Sequence, residues 1–119
     1  MEGSAFPFAG SLLGVEGLPV PIGAIFDVVG ASLEITFSGP LLDGVYDPDA
    51  ISLRHTNARF TSSGGNCTVT GNVAVIDNFQ SGGLDIGANT CDYAPPEFSL
   101  FASGGAPLAA WSEFPYIDL

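Results

Sequence analysis

The chain has 119 residues, enough for one domain with a substantial core, and its 46% hydrophobic content excludes a disordered protein. Thirteen acidic residues stand against two arginines and no lysine, and the resulting net charge of −11 makes nucleic acids and anionic membranes unexpected partners. Sixteen glycines and nine prolines interrupt the chain too often for helices of average length. Composition therefore favours an all-β protein.

Residues 1–22 are predicted to form an extended apolar N-terminal arm in front of a domain that spans 23–119. Prolines at 7, 19 and 21 exclude a central strand there, and no apolar periodicity is present. Such an apolar segment is unfavourable in water, so it lies either across its own domain or against a neighbouring subunit. The candidate assembly contacts in this arm are Phe6, Phe8, Leu12, Leu13 and Val15.

The N-terminus does not have the pattern of a signal peptide. Glu2 stands where a basic residue is expected, and the apolar run after it is broken by proline and glycine. No apolar run reaches transmembrane length. We therefore expect synthesis in a cytoplasm.

The stretch Val28–Ser38 carries the clearest strand pattern. Leu33, Ile35 and Phe37 alternate with polar residues, which predicts a strand with one buried face. Gly39-Pro40 ends it, and Gly23–Asp27 is predicted as a short strand before it.

Pro40–Asp49 is predicted as a loop in which three aspartates are weak calcium candidates: Asp43, Asp47 and Asp49. Their spacing lacks the alternation and the distal glutamate of an EF-hand loop. Aspartate before proline or glycine is also ordinary in turns. We expect neither a metal nor a cofactor.

Ile51–Phe60 is predicted as one strand and holds all the basic residues of the chain. Arg54 and Arg59 are interpreted as ion-pair anchors for a carboxylate partner, either in the same chain or across an interface. His55 is interpreted as a packing or surface residue, because no serine or cysteine motif accompanies it.

The remaining strands are short and separated by turn residues. Gly71-Asn72 is a two-residue hairpin signal, and Ser81-Gly82-Gly83 marks another turn. The predicted strands are Cys67–Thr70, Val73–Phe79, Ala88–Tyr93 and an edge strand in the tail, with Gln80–Gly87 as a turn. About seven short strands with regular turns indicate a β-sandwich.

Two cysteines, Cys67 and Cys91, lie in separate predicted strands. Strands of one sandwich can bring cysteines into disulfide range, so a Cys67–Cys91 bond is one alternative. Free buried thiols are the alternative that we favour, because no signal peptide directs the chain to an oxidising compartment. Metal binding is not expected, since His55 is the only histidine.

Four landmarks carry a resemblance to a known family. They are a Gly-x-x-Leu-x-Ile-x-Phe strand followed by Leu-Asp (Gly30 to Phe37, then Leu42-Asp43), a hairpin at Gly71-Asn72-Val73, the element Tyr93-Ala94-Pro95-Pro96, and the run Gly105–Trp111. Over about residues 24–114 the chain resembles the bacterial Ig-like, flagellar-system-associated repeats of large surface and adhesin proteins. The resemblance implies an Ig-like antiparallel β-sandwich and supplies no catalytic residues.

Single domains of this kind also occur on tailed-phage virions, as capsid decorations, head fibres and tail appendages. Because this domain stands alone behind an apolar arm, we expect a non-enzymatic virion structural protein. It would be a capsid decoration, cement or head-fibre protein whose partners are the major capsid protein and further copies of itself. The alternative is an adhesion module that binds glycans or a host surface, with calcium or without it, through Tyr46, Trp111 and Tyr116.

Overall fold

The computed structural model describes residues 18–62, 64–95 and 100–119. The arm residues named above, Phe6, Phe8, Leu12, Leu13 and Val15, lie outside this part of the chain. No helix in the described ranges is long and apolar enough to span a membrane. The strands are β1 (Pro21–Asp27), β2 (Ser32–Phe37), β3 (Gly44–Tyr46), β4 (Ile51–His55), β5 (Ala58–Ser62), β6 (Cys67–Thr70), β7 (Val73–Ile76), β8 (Phe79–Leu84), β9 (Thr90–Tyr93), β10 (Trp111–Pro115) and β11 (Ile117–Asp118).

The strands form two sheets, which confirms the predicted all-β sandwich. One sheet has six strands in the order β11-β1-β2-β7-β6-β3, and the other has five in the order β10-β9-β4-β5-β8. The order of neighbouring strands in the first sheet includes β1-β2-β7-β6, which corresponds to the A-B-E-D sheet of an Ig domain. The order β10-β9-β4-β5 in the second sheet corresponds to G-F-C-C′. The prediction of about seven strands was too low, mainly because it missed the short edge strands β3, β8 and β11.

The core lies between the sheets and is built from alternate residues of each strand. Leu33, Ile35 and Phe37 of β2 are fully buried, as the alternation predicts. The predicted strand began too early, however, because Val28 to Ala31 form a turn. The Asp27 Oδ1 accepts the backbone N–H groups of Val29 and Gly30, at 3.1 Å each, and this cap ends β1.

Ile51–Phe60 is a hairpin and not the single strand that was predicted. Thr56 and Asn57 separate β4 from β5 and have φ values of 51° and 61°, which is the conformation of a type I′ turn. The Thr56 N–H donates to the Asn89 side chain at 3.0 Å, so the turn is held by the connection between β8 and β9. A tertiary contact therefore supports a turn that the local residues only weakly favour.

The second half of the chain differs from the prediction at one strand and at the turn predicted after it. The Gly71 hairpin forms as predicted, with Gly71 at a φ of 63° in the first turn position. The predicted strand Val73–Phe79 divides, because β7 ends at Ile76 and Phe79 begins β8 in the other sheet. The predicted Gln80–Gly87 turn is wrong, since most of it belongs to β8, which pairs with β5.

Both ends of the described chain reach the six-stranded sheet. β1 begins at Pro21, two residues before the predicted domain boundary, and proline is tolerated at the first position of a strand. At the other end, β10 pairs with β9, after which the chain crosses to the opposite sheet. There β11 runs parallel to β1, with Ile117 beside Ile25. The final residues thus connect the two layers.

Candidate functional site

The two arginines occupy one outer face of the five-stranded sheet. Arg54 and Arg59 lie directly opposite each other on β4 and β5, in a register that by itself sets two like charges side by side. Two carboxylates surround them. Arg59 Nη2 contacts Asp85 Oδ2 at 2.6 Å, Arg59 Nη1 contacts Asp92 Oδ2 at 2.6 Å, and Arg54 Nε lies 3.1 Å from Asp85 Oδ1. Asp85 therefore bridges both guanidinium groups.

The charges in this cluster stabilise one another. Burial opposes the charged form of Arg59, but hydrogen bonds with Asp92 and Asp85 outweigh it and raise the pKa of the guanidinium. Hydrogen bonding from Arg59 lowers the pKa of Asp85. Both arginines thus have carboxylate partners within their own chain, and their use as anchors across an interface stays a prediction.

Gly87 allows the backbone to pass close to the side chain of Arg54. Gly87 has a φ of 150°, and a Cβ atom there would lie 2.8 Å from Nη1 of Arg54. Arg54 Nη1 in turn lies 3.5 Å from the Ala88 carbonyl oxygen. The connection after β8 is therefore shaped around the arginine side chain.

His55 points into the sandwich and joins the C-terminal crossing to β4. Tyr116 Oη donates to the Arg54 carbonyl at 2.8 Å and lies 2.8 Å from His55 Nδ1. Because the hydroxyl proton is used on Arg54, the His55 Nδ1–H is the donor to Tyr116. Nε2 lies 3.8 Å from Asp118 Oδ2, and the Phe26 ring packs edge-on at 5.2 Å. This is a packing arrangement, in keeping with the interpretation of His55 above.

Two of the three calcium candidates serve as turn and loop acceptors. Asp43 Oδ1 accepts the Gly71 N–H at 2.8 Å and thereby ties its loop to the hairpin. Asp47 Oδ1 accepts the Asp49 N–H at 3.1 Å in a local turn. In the described ranges, no three side chains of the types that bind metals are grouped closely enough to hold an ion.

The three aromatic candidates for ligand binding pack against the core. Tyr46 Oη donates to the Leu42 carbonyl at 2.7 Å. Trp111 packs on Tyr93, with ring centres 4.9 Å apart, and on Phe37 at 5.8 Å. Tyr116 is part of the His55 arrangement. These rings are half-buried, and the structure does not bring them together as one exposed platform.

Both cysteines are free thiols, so the disulfide alternative is wrong. Cys67 belongs to the six-stranded sheet and Cys91 to the five-stranded sheet, and both side chains are fully buried. Burial raises the pKa of each thiol to about 12. Neither thiol is therefore activated as a nucleophile or as a metal ligand.

An apolar surface on the outer side of the six-stranded sheet could not be identified from the local sequence pattern. The register places one row of residues across all six strands: Ile117, Ile25, Glu34, Val75, Thr68 and Val45. We define Ile25, Val45, Val75 and Ile117 as the apolar sheet face; their exposed fractions are 38%, 64%, 40% and 67%. Glu34 is the one charged residue in the row. These residues lie far apart in sequence, and only cross-strand pairing brings them together.

The fold and these surfaces define a class, a two-layer β-sandwich of Ig-like connectivity. No family model matches the chain, and neither a curated protein nor a solved structure matches it.

Proposed function

We propose that the protein is a non-enzymatic structural protein of a virion, a capsid decoration, cement or head-fibre protein of a tailed phage. The observation that supports this role is the apolar sheet face. A six-stranded sheet surface with a single charge in its central row fits a broad contact with protein better than it fits a small polar ligand.

The charge distribution supports the same role. Arg54 and Arg59 form ion pairs with Asp85 and Asp92, so the positive charge on the five-stranded sheet is neutralised within the chain. The excess negative charge keeps the remaining surface soluble at the high local density of a particle surface. The domain then acts as a rigid spacer that docks through apolar contacts.

The adhesion alternative has less support. Tyr46, Trp111 and Tyr116 pack against the core, whereas stacking on a sugar needs an exposed ring. One carboxylate oxygen of Asp43 and one of Asp47 accept backbone hydrogen bonds, so these oxygens are less available to bind calcium.

The test is whether the protein co-migrates with virus particles on a density gradient. Virions that the same genome encodes are stripped of loosely bound proteins, incubated with the purified full-length protein and separated on a density gradient. We expect the protein to co-migrate with the particles at a fixed ratio to the major capsid protein, and electron microscopy to show added density on the shell. Absence of the protein from every native and reconstituted particle would refute the proposal.

A further inference from the structure

We propose that the apolar sheet face is the docking site for the N-terminal segment, residues 1–17, of a neighbouring copy of this chain. This inference rests on the proposed assembly role and names the contact between copies. The described chain before β1 lies beside β2. Val20 extends the pairing of β1 with β2, because its carbonyl accepts the Ser38 N–H at 2.9 Å and its own N–H donates to Ser38 Oγ at 3.0 Å.

The prolines on either side of Val20 keep the start of the described chain extended beside β2. Pro19 and Pro21 each fix φ at about −65° and restrict the residues before them, Leu18 and Val20, to extended backbone. Pro19 is also buried and lies 3.7 Å from the Cβ position of Gly39. Residues 1–17 are therefore attached at a fixed point beside β2, and the mixture of variants described below distinguishes a neighbouring copy from the same domain as their binding site.

Length and composition match the segment to the face. Seventeen extended residues reach about 56 Å, whereas six strands span about 24 Å. The segment carries apolar side chains at Phe6, Phe8 and Leu13 and has only two acidic residues. Val20 and Ile22 continue this apolar character into the described chain, with exposed fractions of 52% and 61%.

Direct contact between two sheet faces is the weaker choice. Two copies of a chain with a net charge of −11 repel one another when their domains meet face to face at close range. Exchange of the segments between two copies uses both faces and adds the surface of both segments.

The test uses three full-length variants. The segment variant is Phe6→Ser/Phe8→Ser/Leu13→Ser. The face variant is Val45→Thr/Val75→Lys, in which the lysine stands opposite Glu34 and so keeps a favourable cross-strand pair. The control is Leu84→Lys, on a side chain that is 81% exposed in the other sheet. Sedimentation velocity reports the association, and circular dichroism reports the fold.

We expect the natural sequence and the control to associate, and the segment and face variants to lose at least about tenfold in affinity for each buried apolar side chain removed. An equimolar mixture of the segment and face variants is expected to form a 1:1 dimer, since one supplies an intact face and the other an intact segment. A natural protein that stays monomeric at about 100 μM, a face variant that associates like the control, or a mixture that stays monomeric would each overturn the inference.

This test is independent of the particle experiment. A protein that is monomeric in solution but bands with virions removes the contact between copies and keeps the virion role. A protein that associates through segment and face but never bands with particles keeps the contact and removes that role.

Discussion

The hydroxyl of Tyr93 is expected to stabilise the fold, because it satisfies a backbone N–H group that is buried in the core. Tyr93 and Leu100 are both fully buried, and Tyr93 Oη accepts the Leu100 N–H. In Tyr93→Phe the ring keeps its packing on Trp111, but the Leu100 N–H loses its acceptor in a place that water does not reach. Leaving a buried donor without a partner costs about 1–3 kcal/mol.

The matched control is Tyr46→Phe. The Tyr46 hydroxyl donates to the Leu42 carbonyl at an exposed site, where water replaces it. Its removal is expected to cost about 0.5 kcal/mol. Urea denaturation measures both losses, and at about 5 °C per kcal/mol thermal melting should separate the two variants clearly.

Hydrogen exchange at the Leu100 amide locates the effect. Protection of this amide should fall in Tyr93→Phe and stay unchanged in Tyr46→Phe. Equal free energies of unfolding for the two variants, or an unchanged Leu100 amide, would refute the reasoning that the buried acceptor holds residues 100 to 108 against the core.

Three further predictions concern pH, the thiols and a turn. The folded-state pKa of Asp85 lies below its unfolded value, so its contribution to stability is full above about pH 4 and is lost as pH falls through the lowered pKa. Asp85→Asn should therefore reduce the loss of stability that the protein shows on acidification. An unchanged loss of stability in acid would contradict this. Cys67 and Cys91, with pKa values of about 12, should react with a thiol reagent at pH 8 only in urea, so rapid labelling of the native protein would contradict their burial. Thr56→Gly should raise the free energy of unfolding by about 1 kcal/mol, since Thr56 holds a φ of 51° that β-branched residues disfavour; a lower melting temperature would show that the side chain matters more than the backbone strain.

The parts of the fold that the sequence predicted are those with a strong local signal. Alternation around Leu33, Ile35 and Phe37 predicted β2, and Gly71 predicted the hairpin between β6 and β7. The Thr56-Asn57 turn carries no glycine and depends on Asn89, which is distant in sequence. β8 contains Ser81-Gly82-Gly83, which locally indicates a turn, and its strand conformation comes from pairing with β5.

The candidate surfaces also combine residues with a local sequence signal and contacts that only the fold creates. The arginines stood out because the chain has no other strong bases, but Asp85 and Asp92 as their partners followed only from the packing of β8 and β9. The apolar sheet face depends on register across six strands, so no window of sequence contains it. Single residues were therefore identifiable in advance, and the surfaces that they form were not.

The parallel pairing of β11 with β1 has a consequence for how the sandwich folds. The partner of Ile25 is Ile117, and the Leu119 N–H donates to the Phe26 carbonyl at 2.9 Å, so this pairing joins strands from opposite ends of the described chain. Contacts between residues so far apart in sequence form slowly, because closing a long loop costs entropy before the contact stabilises it. Until β11 docks, the outer edge of β1 presents unpaired N–H and C=O groups with which a strand of another chain can pair.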